Sequence, residues 1–236
     1  DHIGSPPGTE SNGASPGPAT PEATEGTPRG APTSNSPWNQ VFHIGRFAEI
    51  GLSLSGEKNT DRLLEMIVYE ARAFTRAEAG SLYLVNEART HLDFVVLQND
   101  RMGNTLGGAV GSPIALPPVP LFTDGQENHA HVSAHVALTG QIVCIPDVYA
   151  CNSFDFLGTR SYDLATGYRS TSMLLIPMRN HENEVIGVLQ LLNAMDTSFQ
   201  EIVNFTDDQV ALVASLASKA AVALTKHRLI RDLATL

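Results

Sequence analysis

The run Ser172-Met173-Leu174-Leu175-Ile176-Pro177-Met178, the polar His181-Glu182-Asn183-Glu184 and then Val185-Ile186-Gly187-Val188-Leu189-Gln190-Leu191-Leu192 decide the fold class. Two apolar runs of strand length joined by a short polar turn predict an antiparallel hairpin. A second pair lies upstream. Residues 81–85 and 91–97 carry a period of two, and Asn86-Glu87-Ala88-Arg89 supplies the turn between them. Ile142-Val143-Cys144-Ile145, stopped by Pro146, predicts a short buried strand.

Helical spacing frames these strands. Phe42, Phe47, Ile50 and Leu54 predict an amphipathic helix over 41–55. Asn59-Thr60-Asp61 is a helix start, and Leu63, Leu64, Ile67, Val68 and Ala71 continue it to about Thr75. Val132 to Leu138 reads as a short helix closed by Gly140. Thr206, with Gln209 three residues on, forms a capping box for a long terminal helix over 206–236. Its apolar stripe runs about 30 residues, or about 45 Å. That is longer than a domain of this size covers, so the excess is expected to pack on another chain beside the 41–55 helix. Residues 99–130 and 147–169 show no clear period and read as long irregular segments. Hairpins with helices segregated at the ends give an α+β fold, with an antiparallel sheet, the terminal helices on one face and irregular segments over the other.

Composition divides the chain. Residues 1–40 hold eight of the fourteen prolines, and Ile3 and Trp38 are their only large apolar groups. Such a stretch cannot offset a chain entropy of about 1–2 kcal/mol per residue, so 1–40 is expected to be a disordered tail and 41–236 the domain. The net charge is −10. With the tail set aside, 21 acids face 14 bases and there is no Lys/Arg cluster, which argues against nucleic acid and anionic membranes as partners. No signal-peptide pattern and no apolar run near 18 residues is seen, and the cytoplasm is the expected location. Cys144 and Cys151, seven apart, form neither a disulfide framework nor a metal spacing.

Five segments carry a resemblance. Residues 79–85 (Ala79-Gly80-Ser81 onward), His135-Val136-Ala137-Leu138-Thr139-Gly140-Gln141, Ile145-Pro146-Asp147-Val148-Tyr149, residues 166–174 (Thr166-Gly167-Tyr168 onward) and residues 184–193 (Glu184 to Asn193) resemble, in order, motifs of GAF domains. The flavour is that of GAF domains preceding HD-GYP phosphodiesterases and of cyclic-nucleotide phosphodiesterases. The resemblance implies a six-stranded antiparallel, PAS-like sheet. It also implies a homodimer through the 41–55 and 206–236 helices, and a small ligand, of which a cyclic nucleotide is one candidate, under the two irregular segments. The module would then regulate an output domain such as an HD-GYP phosphodiesterase rather than act as an enzyme. Carried over by motif, the ligand contacts are Ser81 at the purine, Leu97 and Gln98 at a strand end, and Val132 and Ser133 at a helix start suited to phosphate. Phe156 would cap the ligand, Thr166 and Ser170 would sit near the phosphate or ribose, and Gln190 would face inward. One departure stands out: the cyclic-nucleotide class has Lys after the Asn of an Asn-Lys…Phe…Asp-Glu signature, and here Ala194 follows Asn193, although Phe205, Asp207 and Asp208 remain.

Other readings compete. His131 and His135 at i, i+4 are a candidate metal pair with His129, Asp124 or Glu127 as a third ligand, but helix-start polar residues or pocket lining explain them as well. Cys144 reads as an inert core residue and Cys151 as a reactive one, which leaves a thiol enzyme of the free methionine sulfoxide reductase type as an alternative. A dimerisation module with no ligand is the other.

Overall fold

The computed structural model describes residues 37–234, and residues 1–36, most of the Pro-rich segment expected to be disordered, lie outside them. Of the described residues, 41–234 fall in one compact unit. The chain runs α1 (Pro37–Gly56), α2 (Thr60–Thr75), β1 (Ala77–Val85), β2 (His91–Asn99), β3 (Asn104–Gly107), β4 (Val119–Pro120), β5 (Phe122–Thr123), β6 (Gln126–Glu127), α3 (Val132–Thr139), β7 (Val143–Ile145), α4 (Leu157–Thr166), β8 (Met173–Arg179), β9 (Val185–Met195), β10 (Ile202–Val203) and α5 (Asp207–Ala234).

Local chemistry explains the helix ends. The Asn59 side chain accepts from the backbone N–H of Arg62 and caps α2. At α5 the Thr206 hydroxyl accepts from Gln209 N–H at 3.2 Å while Gln209 Oε1 accepts from Thr206 N–H at 2.9 Å, the reciprocal capping box read from the sequence. Gly140 ends α3 in the left-handed region at φ 65°, where its N–H bonds the carbonyl of Val136. An added Cβ there would collide with the Arg179 guanidinium.

The sheet is antiparallel in the order β3-β2-β1-β9-β8-β7, with β4 paired to β2 and β10 to β9. It therefore has eight strands, not the six expected. The two extra strands are two residues each, too short to carry a period, and β4 lies among Pro117, Pro118 and Pro120. A separate β5–β6 hairpin turns at Asp124-Gly125, both with positive φ, a two-residue turn signal inside the segment read as irregular. Pro177 sits in β8 beyond the residues that pair with β7, so its missing N–H removes no ladder bond on that side.

Strand alternation sorts the core into two layers. Leu82, Val96, Leu174, Ile176, Leu189 and Leu191 face α1, α2 and α5, where they meet Ile50, Leu54, Ile67, Val213, Leu216 and Ala220. Their alternates Tyr83, Leu92, Met173, Leu175 and Val188 face Val119, Leu121, α3, Val148 and Phe156. The second face is covered by more than irregular chain, because α3 and α4 both lie over it. By length and composition α5 could cross a membrane, but Val213, Leu216, Ala217, Ala220 and Leu224 are buried in the first layer. Its buried residues end at Leu224, and Leu229, Ile230 and Leu233 beyond it are exposed.

Candidate functional site

On the second face a cavity of about 360 Å³ opens between β1, β2, β9, the 116–120 segment, the start of α3 and the inner side of α4. That volume is within the usual range for small-molecule sites. Its walls are mostly apolar: Phe94, Leu97, Leu116, Pro117, Pro118, Val119, Phe156 and Leu192. Into them project Ser81, Tyr83, His131, Thr159, Tyr162, Ser170 and Gln190, with Asp155 at the margin. The Tyr83 hydroxyl donates to Gln190 Oε1 at 3.1 Å, and its ring packs on Phe94 with centroids 4.3 Å apart. Burial pushes the Tyr83 phenol well above its ordinary range, so it stays protonated and able to donate.

Of the nine residues assigned by motif, Ser81, Leu97, Val132, Phe156, Ser170 and Gln190 line this cavity. Gln98, Ser133 and Thr166 do not. Gln98 is next to Leu97 on a strand and so faces the opposite side, where it binds the Arg72 guanidinium and the Glu65 carbonyl. Ser133 is fully buried and its hydroxyl pairs with His131 Nδ1 at 3.1 Å. The Thr166 hydroxyl donates back to the carbonyl of Tyr162 at the exposed end of α4. The motif missed Tyr83 and Phe94, although Tyr83 is two residues from Ser81 and Phe94 is its cross-strand partner, so period and register place them on this face.

α3 begins at the cavity. Its N-cap, His131, makes no side-chain capping bond, so the first backbone N–H groups of the helix keep their donor capacity where His131 and Val132 line the wall. Two clefts elsewhere, of about 410 and 590 Å³, are bounded by exposed charged side chains, Glu87, Arg89 and Arg231 at one, Asp100 and Arg101 at the other. In both, charged side chains outnumber the uncharged polar ones.

The histidines separate. His129 Nδ1 lies 3.1 Å from His135 Nδ1 and its Nε2 lies 2.9 Å from Glu127 Oε2, while His131 turns to Ser133 and the cavity. The i, i+4 pair weighed as a candidate metal site thus faces two directions, because His131 is the N-cap in extended backbone and not a helical residue. Among the described residues no group of three or more His, Cys, Asp or Glu is placed to hold a metal. Cys144 also departs from its expected place. It lies exposed on the edge strand β7, not in the core, and partial burial together with Asp207 raises its thiol pKa, which disfavours the reactive thiolate. Cys151 is half-buried against the second core layer.

Burial depresses the pKa of His131, opposed by Asp155, and burial followed by the His129 charge depresses that of His135. The unfolded imidazole takes its proton near the ordinary value of about 6.5, before the folded one does. Stability from these groups is therefore full above that pH and falls as pH drops from there toward the folded values. Urea unfolding at pH 7.5 and 5.5 is expected to show lower stability at 5.5, with a smaller difference in a His131→Gln variant. An equal difference in that variant would assign the loss to other groups.

The family model described as the GAF domain matches residues 59–224, well over half of the chain, and the chain belongs to that family. GAF domains are in general regulatory rather than catalytic modules. The cGMP-specific 3',5'-cyclic phosphodiesterase of Drosophila sechellia is 28% identical over 152 residues, covering 62% of this chain and 12% of that protein. The chain thus spans about an eighth of the length of the curated relatives it matches. The GAF domain of an Acinetobacter phosphoenolpyruvate-protein phosphotransferase is similar in structure, with a TM-score of 0.57 at 12% identity over 81% of this chain and 98% of that one. The free methionine-R-sulfoxide reductase of Neisseria meningitidis, solved with its substrate, has a TM-score of 0.56 at 15% identity over 80% and 92%. At these identities the structural likeness is one of fold.

Proposed function

We propose that this GAF domain senses a purine cyclic nucleotide in the cavity over β1, β2 and β9, and that it acts as a dimer controlling an output domain such as a phosphodiesterase. The observation that carries the reading is the form of the cavity: a slot of apolar and aromatic groups for a base, next to an uncapped helix N-terminus suited to a phosphate. The likeness to cGMP-specific phosphodiesterases supports the choice of ligand class. The dimer is supported by α5, whose last ten residues run beyond the buried core with Leu229, Ile230 and Leu233 exposed.

Thermal unfolding with cyclic GMP and cyclic AMP tests the reading. A ligand at 100 times its dissociation constant stabilises the folded state by about 2.7 kcal/mol, which raises the melting temperature by several degrees. Base–aromatic stacking contributes about 1–3 kcal/mol, so Phe156→Ala is expected to weaken binding about tenfold or more. No shift with either nucleotide would contradict the ligand and favour a dimerisation module whose cavity stays empty.

A further inference from the structure

We infer that Asp163, which does not itself line the cavity, fixes the hydrogen-bonding polarity of Ser170 inside it, so that the bound ligand must present a hydrogen-bond donor at Ser170. This rests on the cyclic-nucleotide reading above.

Asp163 lies on the inward side of α4 and is 3% exposed. Three donors converge on its carboxylate. The Tyr149 hydroxyl reaches Oδ2 at 2.9 Å, the Ser170 backbone N–H reaches Oδ2 at 2.8 Å, and the Ser170 hydroxyl reaches Oδ1 at 2.9 Å. These bonds join α4 to the 147–151 turn and to the segment leading into β8, so the carboxylate and Ser170 have one relative placement. A carboxylate accepts and does not donate, and a serine hydroxyl has one hydrogen and two lone pairs. Ser170 lines the cavity, and with its hydrogen committed to Asp163 its Oγ has only lone pairs to offer a ligand there. A phosphate oxygen or another acceptor at this point meets lone pairs with no hydrogen between. A donor completes the bond. In a purine cyclic nucleotide the donors are the ribose hydroxyl and the base N–H groups, and the phosphate is left to the α3 terminus.

Asparagine in place of Asp163 reverses this polarity. Its amide oxygen still accepts from Ser170 N–H and Tyr149, while its Nδ2 donates to Ser170 Oγ and turns the serine hydrogen toward the cavity. The dissociation constants of cyclic GMP, its 2′-deoxy form, which lacks the ribose hydroxyl, and cyclic IMP, which lacks the exocyclic amine, are to be compared. The comparison covers wild type, Asp163→Asn, Ser170→Ala and Tyr149→Phe. Wild type is expected to lose about tenfold or more for one of the two missing donors: the 2′-deoxy form if the ribose faces Ser170, cyclic IMP if the base does. Asp163→Asn and Ser170→Ala are each expected to bring that ratio within about threefold of unity, and Tyr149→Phe, which removes a donor to the same carboxylate without touching Ser170, is expected to keep it. Melting curves report whether each variant is folded; if Asp163→Asn is not, the Ser170→Ala ratio decides. An unchanged ratio in Ser170→Ala, a collapsed ratio in Tyr149→Phe, or a wild type indifferent to both donors and to methylation of N1, the base donor that cyclic IMP keeps, overturns the inference while leaving nucleotide binding intact. A wild type that binds none of the three contradicts the cyclic-nucleotide reading itself, and this inference with it.

Discussion

Asn193→Ala is expected to destabilise the domain by about 3 kcal/mol and to lower its melting temperature by about 6–12 °C. Asn193 is fully buried at the end of β9, at φ 56°. Its Oδ1 accepts from Thr171 N–H at 2.7 Å, and its Nδ2 lies 2.9 Å from Glu78 Oε2, 2.9 Å from the Tyr168 hydroxyl and 2.8 Å from the Arg169 carbonyl. One amide therefore joins β1, β9 and the chain after α4. Removal takes a partner from the half-buried Thr171 N–H, the Arg169 carbonyl and the Glu78 carboxylate, the last of which keeps the Tyr168 hydroxyl, and such losses cost about 1–3 kcal/mol. Alanine also tolerates the left-handed backbone less well than asparagine does. Asn193→Gly should lose the same bonds without that strain and should be about 1 kcal/mol less damaging than alanine. Urea unfolding of the two variants checks both statements. Equal stabilities for Ala and Gly would contradict the backbone part.

The second large effect concerns assembly. Wild type is expected to sediment as a dimer, and Ile230→Asp combined with Leu233→Asp as a monomer with an unchanged helix and sheet spectrum. The two side chains are 56% and 71% exposed, so the domain itself does not need them. Val222, Leu229 and Leu233, spaced seven and four apart, continue the same exposed stripe. In a symmetric dimer the double variant removes four apolar side chains from the interface, each contributing about 1.5–3 kcal/mol when buried. Association should weaken by about four orders of magnitude. A wild type that sediments as a monomer at concentrations of tens of micromolar would remove the dimer from the account.

The elements legible in the sequence were those whose own residues supply the signal. Asn59 and the Thr206–Gln209 pair marked helix starts because the caps are made by the side chains seen there. The β8–β9 hairpin was legible because its two apolar runs become adjacent strands. α4 was not, and the reason is physical: its only buried side chain is the polar Asp163, while Leu157 and Leu164 are 70% and 86% exposed. An amphipathic pattern inverted in this way has no apolar stripe to read. β4 and β10 owe their pairing to neighbours brought from elsewhere in the chain. Cys144 looked like core because its strand is apolar, yet β7 is the sheet edge. In the site, motif matching placed Leu97 and Gln98 together, but neighbours on a strand face opposite ways, and only Leu97 reaches the cavity. The Asp163–Ser170 contact was out of reach, since α4 itself was unseen.

The departure at Ala194 also takes on structure. Ala194 is fully buried in the helix-side layer with Phe205, and its N–H donates to the Ser172 hydroxyl at 3.1 Å. A lysine there would place a charge within that layer, where a buried unpaired charge is costly. Asn193 serves the framework in any case, whatever the residue after it.

The most direct test of the central claim is a titration of isotope-labelled protein with cyclic GMP, followed by NMR through the amide resonances and the Gln190 side chain. Saturable shifts are expected to concentrate at Ser81, Leu97, Val132, Phe156, Ser170 and Gln190, with Gln98 and Thr166 little affected. Absence of shifts at millimolar ligand, or shifts confined to the clefts near Arg89 or Arg101, would contradict it.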